Sequence, residues 1–179
     1  MTGHVALLYS IVLTPERRVV MADLRAMAKE LGFADPRTLV ASGNLVFGAP
    51  PRMSVRAIET RLEAAFAPRF GRHVDIIVAT AMDWRALVAA NPFRAEAEAA
   101  PTSVHVRVMR DRLPPEAANG LAPYLTQGER IAIVDGHLWM HFRGPLHESK
   151  LAGQLTPKRL GIGTTRNWNT VRRLGEMLD

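Results

Sequence analysis

The chain has no cysteine among its 179 residues, which excludes a disulfide framework, a thiolate metal site and a cysteine nucleophile. It also lacks a long apolar run. The longest, Val5 to Leu13, is interrupted by Tyr9 and Ser10 and falls well short of the roughly 20 residues that a membrane-spanning helix needs. No basic stretch precedes that run and no small-residue cleavage site follows it, so no secretion signal is expected, a cytoplasmic location is, and a membrane is not among the partners. Lysine is scarce, three of 23 basic residues. The arginine bias suits bidentate phosphate contacts and equally reflects genome composition.

What is present is the balance of a globular protein, 47% apolar and 22% charged, in a length that suits one core or two small subdomains. The net charge of +6 is unevenly placed. Residues 150 to 179 carry six Lys/Arg against two Asp/Glu, and the preceding 149 carry seventeen against fifteen. Clustered cations raise the potential that attracts phosphates, although a solvated basic face gives the same pattern.

Val5 to Val12 reads as a buried strand. A helix follows with Val20, Leu24, Met27, Ala28 and Leu31 in one stripe and Gly32 as its stop. Arg37 to Ala41 and Leu45 to Gly48 read as a hairpin turning at Ser42-Gly43-Asn44. A second helix starts at an N-cap Ser54, with Val55, Ile58, Leu62, Ala65 and Phe66 on one face and Pro68 near its end. Val74 to Ala79 is a fourth strand. This order is the ferredoxin-like βαββαβ pattern. The fold class is therefore α+β, with a ferredoxin-like part over residues 1–80, a helix and connecting segment over 81–101, and a smaller α+β part over 102–179. Thr80 and Asp83 make a capping box for a helix over Ala81 to Ala90, which Asn91-Pro92 breaks, and Ala95 to Pro101 marks a boundary. Beyond it are a strand at Val104 to Met109, a Pro114-started helix weakened by Gly120, and a hairpin turning at Asp135-Gly136, a strong type I′ signal. Helical signals close the chain. The second half thus echoes the first incompletely, with no sequence repeat at that spacing.

Leu7-Leu8, Met21-Ala-Asp-Leu-Arg, Leu31-Gly-Phe, Ser42-Gly-Asn, Asn91-Pro-Phe, Ser149-Lys-Leu and Thr165-Arg-Asn-Trp-Asn-Thr-Val occur in that order. In these blocks the chain resembles the family known as domain of unknown function 1697. The resemblance implies an α+β fold with a ferredoxin-like N-terminal part and a smaller C-terminal part, and it implies no activity. Members of that family carry Arg-Gly-Ile-Asn-Val-Gly-Gly after the Leu-Leu, where this chain has Tyr9-Ser10-Ile11-Val12-Leu13-Thr14-Pro15. If the loop approaches a ligand through glycine backbone, this chain lacks the means and is a divergent or inactive member.

For binding, Gly161-Ile-Gly-Thr-Thr-Arg-Asn leads toward the final helix, and amides at a helix start with Arg166 beside them suit a phosphate or carboxylate. It is not a P-loop, since the Gly-Lys-Ser/Thr end is missing. The structural alternative makes Asn167 or Thr165 the cap and Trp168, Val171, Leu174 and Leu178 a core stripe. Asn169, Arg172, Arg173 and Glu176 then face outward. His137 and His141 sit four apart on a strand, roughly 13 Å along it, too far for ligands each about 2 Å from one zinc ion. His105 and His147 read as structural histidines. No metal and no cofactor is called for.

Tyr9 and Phe47 on a ferredoxin-like sheet invite comparison with RNA-recognition modules. Each alternates with apolar neighbours, Leu7 with Ile11 and Leu45, and so belongs to a face that meets the helices. Ser149-Lys150 could pair a hydroxyl with an amine, or Ser149 is an N-cap. No catalytic residue can be named. Two readings follow. One is a noncatalytic binding domain for a phosphate-bearing small molecule or nucleic acid, centred on Lys150, Arg166, Asn167 and Asn169. The other is an enzyme acting on a small anionic metabolite in a cleft that brings Ser42 and Asn44 toward Arg166. A homodimer paired through an open sheet edge is a third expectation.

Overall fold

The computed structural model describes residues 1–9, 19–40 and 42–178. Its internal contacts divide it into two units, Met1–Ala86 with Arg173–Asp179, and Leu87–Arg172. The predicted Ser10, Ile11, Val12, Thr14 and Pro15 segment lies outside the described residues.

The first unit runs β1 (Thr2–Leu8), α1 (Met21–Glu30), β2 (Ala34–Leu39), β3 (Asn44–Ala49), α2 (Val55–Phe70), β4 (Ile76–Thr80) and the start of α3 (Ala81–Ala89). Its sheet has the order β2-β3-β1-β4, every pair antiparallel, which is the βαββαβ arrangement read from the sequence. Strand periodicity sorts the side chains. Ala6, Leu8, Leu45, Phe47, Ile76 and Val78 share the face that packs on Leu24, Met27 and Ala28 of α1 and on Ile58, Leu62 and Phe66 of α2. Each large side chain so buried contributes about 1.5–3 kcal/mol. Leu7 pairs with Asn44 and Ile77 and therefore lies on the opposite face from Phe47, a correction to the expectation that both meet the helices. Tyr9 does pack against the helix-covered cluster.

Helix ends follow the sequence. Ser54 Oγ accepts from the Ala57 N–H at 3.2 Å, and Gly71, at φ 70°, closes α2 in the left-handed conformation that glycine tolerates. Val20 departs from expectation: it precedes α1 and is 49% exposed, so the buried stripe is Leu24, Met27 and Ala28. Glu59 is buried although it falls outside the predicted stripe of α2. Its Oε1 accepts from the Val78 N–H at 3.1 Å, and Glu63 Oε1 accepts from the Ile76 N–H at 2.9 Å. Two carboxylates four residues apart on α2 thus cap two amides two residues apart on β4, a strand at the end of its sheet.

In the second unit α4 (Arg94–Ala99) precedes β5 (Val104–Met109), β6 (Arg130–Val134) and β7 (His137–His141). They are followed by α5 (Pro157–Leu160), β8 (Gly163–Asn167) and α6 (Trp168–Glu176), whose last residues count with the first unit. The sheet order, β6-β7-β5-β8, repeats that of the first sheet strand for strand. The connections are where the echo is incomplete. The helix expected from Pro114 is replaced by two 3-10 turns, Pro115–Ala118 and Ala122–Tyr124, and the counterpart of α2 by the turns Leu146–Glu148 and Ala152–Gln154 with the four-residue α5. Pro114, Pro115, Gly120 and Pro123 punctuate the first connection too often for a helix to propagate. Asp135 and Gly136 both have positive φ, 48° and 73°, as a type I′ turn requires. Met109, Leu121, Leu138, Met140, Phe142, Leu151 and Leu160 form the core under the turns.

The echo reaches single residues. Each unit's last strand ends on a residue that caps the next helix: Thr80 Oγ1 accepts from the Asp83 N–H at 3.1 Å, and Asn167 Oδ1 from the Thr170 N–H at 3.0 Å. Opposite each cap on the neighbouring strand stands a histidine, His4 across from Thr80 and His105 across from Asn167. Burial lowers the pKa of both rings, against the opposing pull of the carbonyl two residues earlier, Thr2 or Ser103.

Candidate functional site

Gly161 to Asn167, expected as a loop offering free amides, is largely a strand. β8 pairs antiparallel with β5, Gly163 opposite Met109, Thr164 opposite Val108, Thr165 opposite Arg107 and Arg166 opposite Val106. This corrects the loop expected there. The segment's amides lie in an edge strand, and the Asn167 side chain already fills a first-turn position of α6. Gly163 is required by packing: a Cβ there would stand 2.6 Å from Met109 Sδ, 3.0 Å from the Val108 carbonyl oxygen and 3.1 Å from Arg107 Nε.

Arg166 is the unusual member of the corner where β8 meets α6. Its Nη1 donates to Thr164 Oγ1 at 2.7 Å and to the Thr165 carbonyl at 2.9 Å. Burial pushes its pKa down to about 10, so the half-buried side chain keeps its charge at neutral pH. Asn169 is half-buried in the first turn of α6 and not on the outer face expected for it, whereas Arg172, Arg173 and Glu176 are exposed, as expected. Val171 and Leu174 are fully buried, and the Trp168 ring lies 6.1 Å from that of Trp139. Lys150 is exposed. Ser42 and Asn44 belong to the first unit. There Asn44 Nδ2 donates to the Leu39 carbonyl and to Ser42 Oγ, both at 2.9 Å, which braces the β2–β3 turn.

Ser149 resolves toward structure. Its hydroxyl donates to the buried Glu129 carboxylate and accepts from the Leu151 N–H at 3.2 Å. Desolvation alone would raise the Glu129 pKa, but the Ser149 hydroxyl and the N–H groups of Gln127 and Glu129 outweigh it and hold the carboxyl below its usual range. Sequence reasoning missed Glu129, Thr164 and Arg107. Arg107 sits on β5 among valines and is 2% exposed, its Nη2 donating to the Gly161 carbonyl at 3.3 Å. Its only sequence signal was a charge placed inside an apolar strand.

His137 Nδ1 accepts from the Met109 N–H at 3.1 Å. Among the described residues no three His, Asp or Glu come together as metal ligands, and no helix is long and apolar enough to cross a membrane. An RNA-recognition sheet needs an open face, yet Val5, Leu7, Val46 and Ile77, which point away from α1 and α2, are all buried.

Two antiparallel four-stranded sheets of identical strand order, one under two full helices and one under short turns, define an α+β protein of ferredoxin-like topology. The chain belongs to the family described as Protein of unknown function (DUF1697), whose model matches residues 1–139. That match ends before the Thr165–Val171 block. Among solved structures, the conserved bacterial protein SP0830 from Streptococcus pneumoniae is similar in fold over 99% of each chain, with a TM-score of 0.74 at 20% identity. No curated protein matches the chain.

Proposed function

We propose that the chain is a noncatalytic binding protein for a phosphate-bearing ligand, a nucleotide or nucleic acid, engaged at the β8–α6 corner of the second unit. The observation that carries this reading is Arg166, a guanidinium fixed on a strand and lowered to a pKa of about 10 by burial. It keeps its charge at neutral pH, and Arg geometry favours two parallel bonds to phosphate. Lys150 and Asn169 serve as further contacts. Asn167, its Oδ1 committed to Thr170, has its Nδ2 left to offer. The excess of cations over residues 150 to 179 supports an anionic partner.

Trp168, next in the chain, is the reporter. Its fluorescence is followed during titration with inorganic phosphate, nucleotides and short single strands at two salt concentrations. Binding should weaken with salt, steeply for a nucleic acid and mildly for a nucleotide, and Arg166→Gln should weaken it at least about tenfold, the loss of one charge-assisted bond. No response at low salt, or a response indifferent to Arg166→Gln, refutes the reading. Turnover of a bound nucleotide would refute its noncatalytic half.

A further inference from the structure

We infer that the groove between α1 and α2 binds a small monocarboxylate with an apolar body, its carboxylate on Arg69. The groove belongs to the first unit alone and does not rest on the reading of Arg166. It measures about 360 Å³ and is lined by Met27 and Glu30 of α1, by Leu31 at the end of that helix, and by Ala65, Pro68 and Arg69 of α2. The gap originates in the sequence of α2. Ala65 and Pro68 are the apolar residues that its last two turns present to α1, and neither side chain reaches across.

The floor selects an apolar body. Four of the six lining residues are apolar. Met27 is 2% exposed, and Leu31 and Ala65 pack partly buried against the core of the unit. The volume lies at the small end of ligand sites and holds about a dozen water-sized groups. Two cross-helix contacts bound the slot, Arg69 to Glu30 and Arg61 to the Leu31 carbonyl. Arg61 and Arg69 are eight residues apart, about 12 Å along the helix, which suits a small molecule better than a peptide helix.

Two observations select the head group. Arg69 already holds a carboxylate across the groove, Glu30 at 2.6 Å, and the two side chains are 31% and 65% exposed. The carboxylate is the more solvated member, and an exposed pair of this kind stabilises little. A ligand carboxylate therefore takes its place on the same fork at small cost, while the tail leaves water. The second observation is Arg61. Its Nη2 donates to the Leu31 carbonyl at 3.2 Å, its Nη1 lies 3.9 Å from Met53 Sδ, and its guanidinium is 5.9 Å from the centre of the Phe33 ring. Among the described residues no carboxylate pairs with it. Two guanidiniums against one carboxylate favour an anion over an amine.

The test is calorimetry together with methyl resonances of methionine and alanine in the full chain. Octanoate is the probe, octylammonium and octanol are the head-group controls, and acetate is the control for the tail. Octanoate should move the Met27 and Ala65 methyl signals and bind at least about tenfold more tightly than each control. Arg69→Gln should weaken octanoate about tenfold and leave octanol unchanged. Glu30→Gln should tighten octanoate by removing its competitor, a gain that a merely structural ion pair does not predict. Ala65→Leu should fill the groove and abolish binding. Silence at Met27 and Ala65 in millimolar octanoate overturns the inference, as does octanol or octylammonium binding as tightly as octanoate. A response indifferent to Arg69→Gln overturns it as well, and one abolished by Arg166→Gln instead assigns the probe to the other unit. If Ala65→Leu is not folded by circular dichroism, the opposite effects of Arg69→Gln and Glu30→Gln decide.

Discussion

Replacing Gly163 with alanine is expected to destabilise the protein by about 2 kcal/mol, within the 1–3 kcal/mol typical of overpacking a filled site. The added Cβ meets three atoms at once, Met109 Sδ at 2.6 Å, the Val108 carbonyl oxygen at 3.0 Å and Arg107 Nε at 3.1 Å. A thioether can swing aside, but the carbonyl belongs to the β5 backbone and the guanidinium is tied to Gly161. β8 must then draw away from β5. The assay is thermal unfolding followed by tryptophan fluorescence and circular dichroism, with an expected loss of about 4–8 °C in the midpoint for a chain of this length. Met109→Ala makes room for the methyl group, so the double variant should lose less than the sum of the single losses by about 0.5 kcal/mol or more. Strict additivity, or a Gly163→Ala loss below about 0.5 kcal/mol, would refute the packing account.

Ser149→Ala removes a hydroxyl that serves both Glu129 and the Leu151 amide and should cost about 1–3 kcal/mol. Glu129 is held below the usual carboxylate range, so this contribution is present above about pH 4.3, the unfolded value, and fades as pH falls through the folded one. Unfolding at pH 7 and pH 3 should show the Ser149→Ala loss shrinking. Asn44→Ala should cost about 1–3 kcal/mol by releasing Leu39 and Ser42, and Asn44→Asp more, since a carboxylate oxygen then faces a carbonyl; urea midpoints would order the two. Because burial lowers the pKa of His4 and His105, their contribution is complete above the unfolded value of about 6.5 and declines as pH falls below it. A thermal midpoint measured from pH 8 to pH 5 should fall, and His4→Gln with His105→Gln should flatten that slope.

Signals confined to neighbouring residues were legible. The alternating valines of β5 and the Asp135-Gly136 turn carry their conformation locally, as do Ser54 and Asn167 as caps. β8 was not legible, because Gly-Thr-Thr-Arg-Asn has the composition of a loop and becomes a strand only through its register with β5. Pro114 read as a helix start when its companions prolines 115 and 123 allow only 3-10 turns. In the candidate site, the basic character of the final segment and the Asn167 cap were visible, while the burial of Arg166 and Arg107 arises from tertiary packing that no spacing encodes. Asn44 read as a hairpin-turn residue and also as a member of the alternative cleft site, and its amide braces the turn through Leu39 and Ser42.

The paired carboxylates of α2 have a consequence for how length can vary. Four residues along a helix advance about 6 Å and two along a strand about 6.8 Å, so Glu59 and Glu63 work as two teeth meshing with Val78 and Ile76 in reverse order. Sliding or rotating α2 by one residue disengages both at once, leaving a buried charge and two bare amides. The span from Glu59 to Val78 is thereby a ruler: an insertion in the turn around Gly71 only lengthens the slack between two meshed parts, whereas one between Glu59 and Glu63, or between Ile76 and Val78, strips the gear.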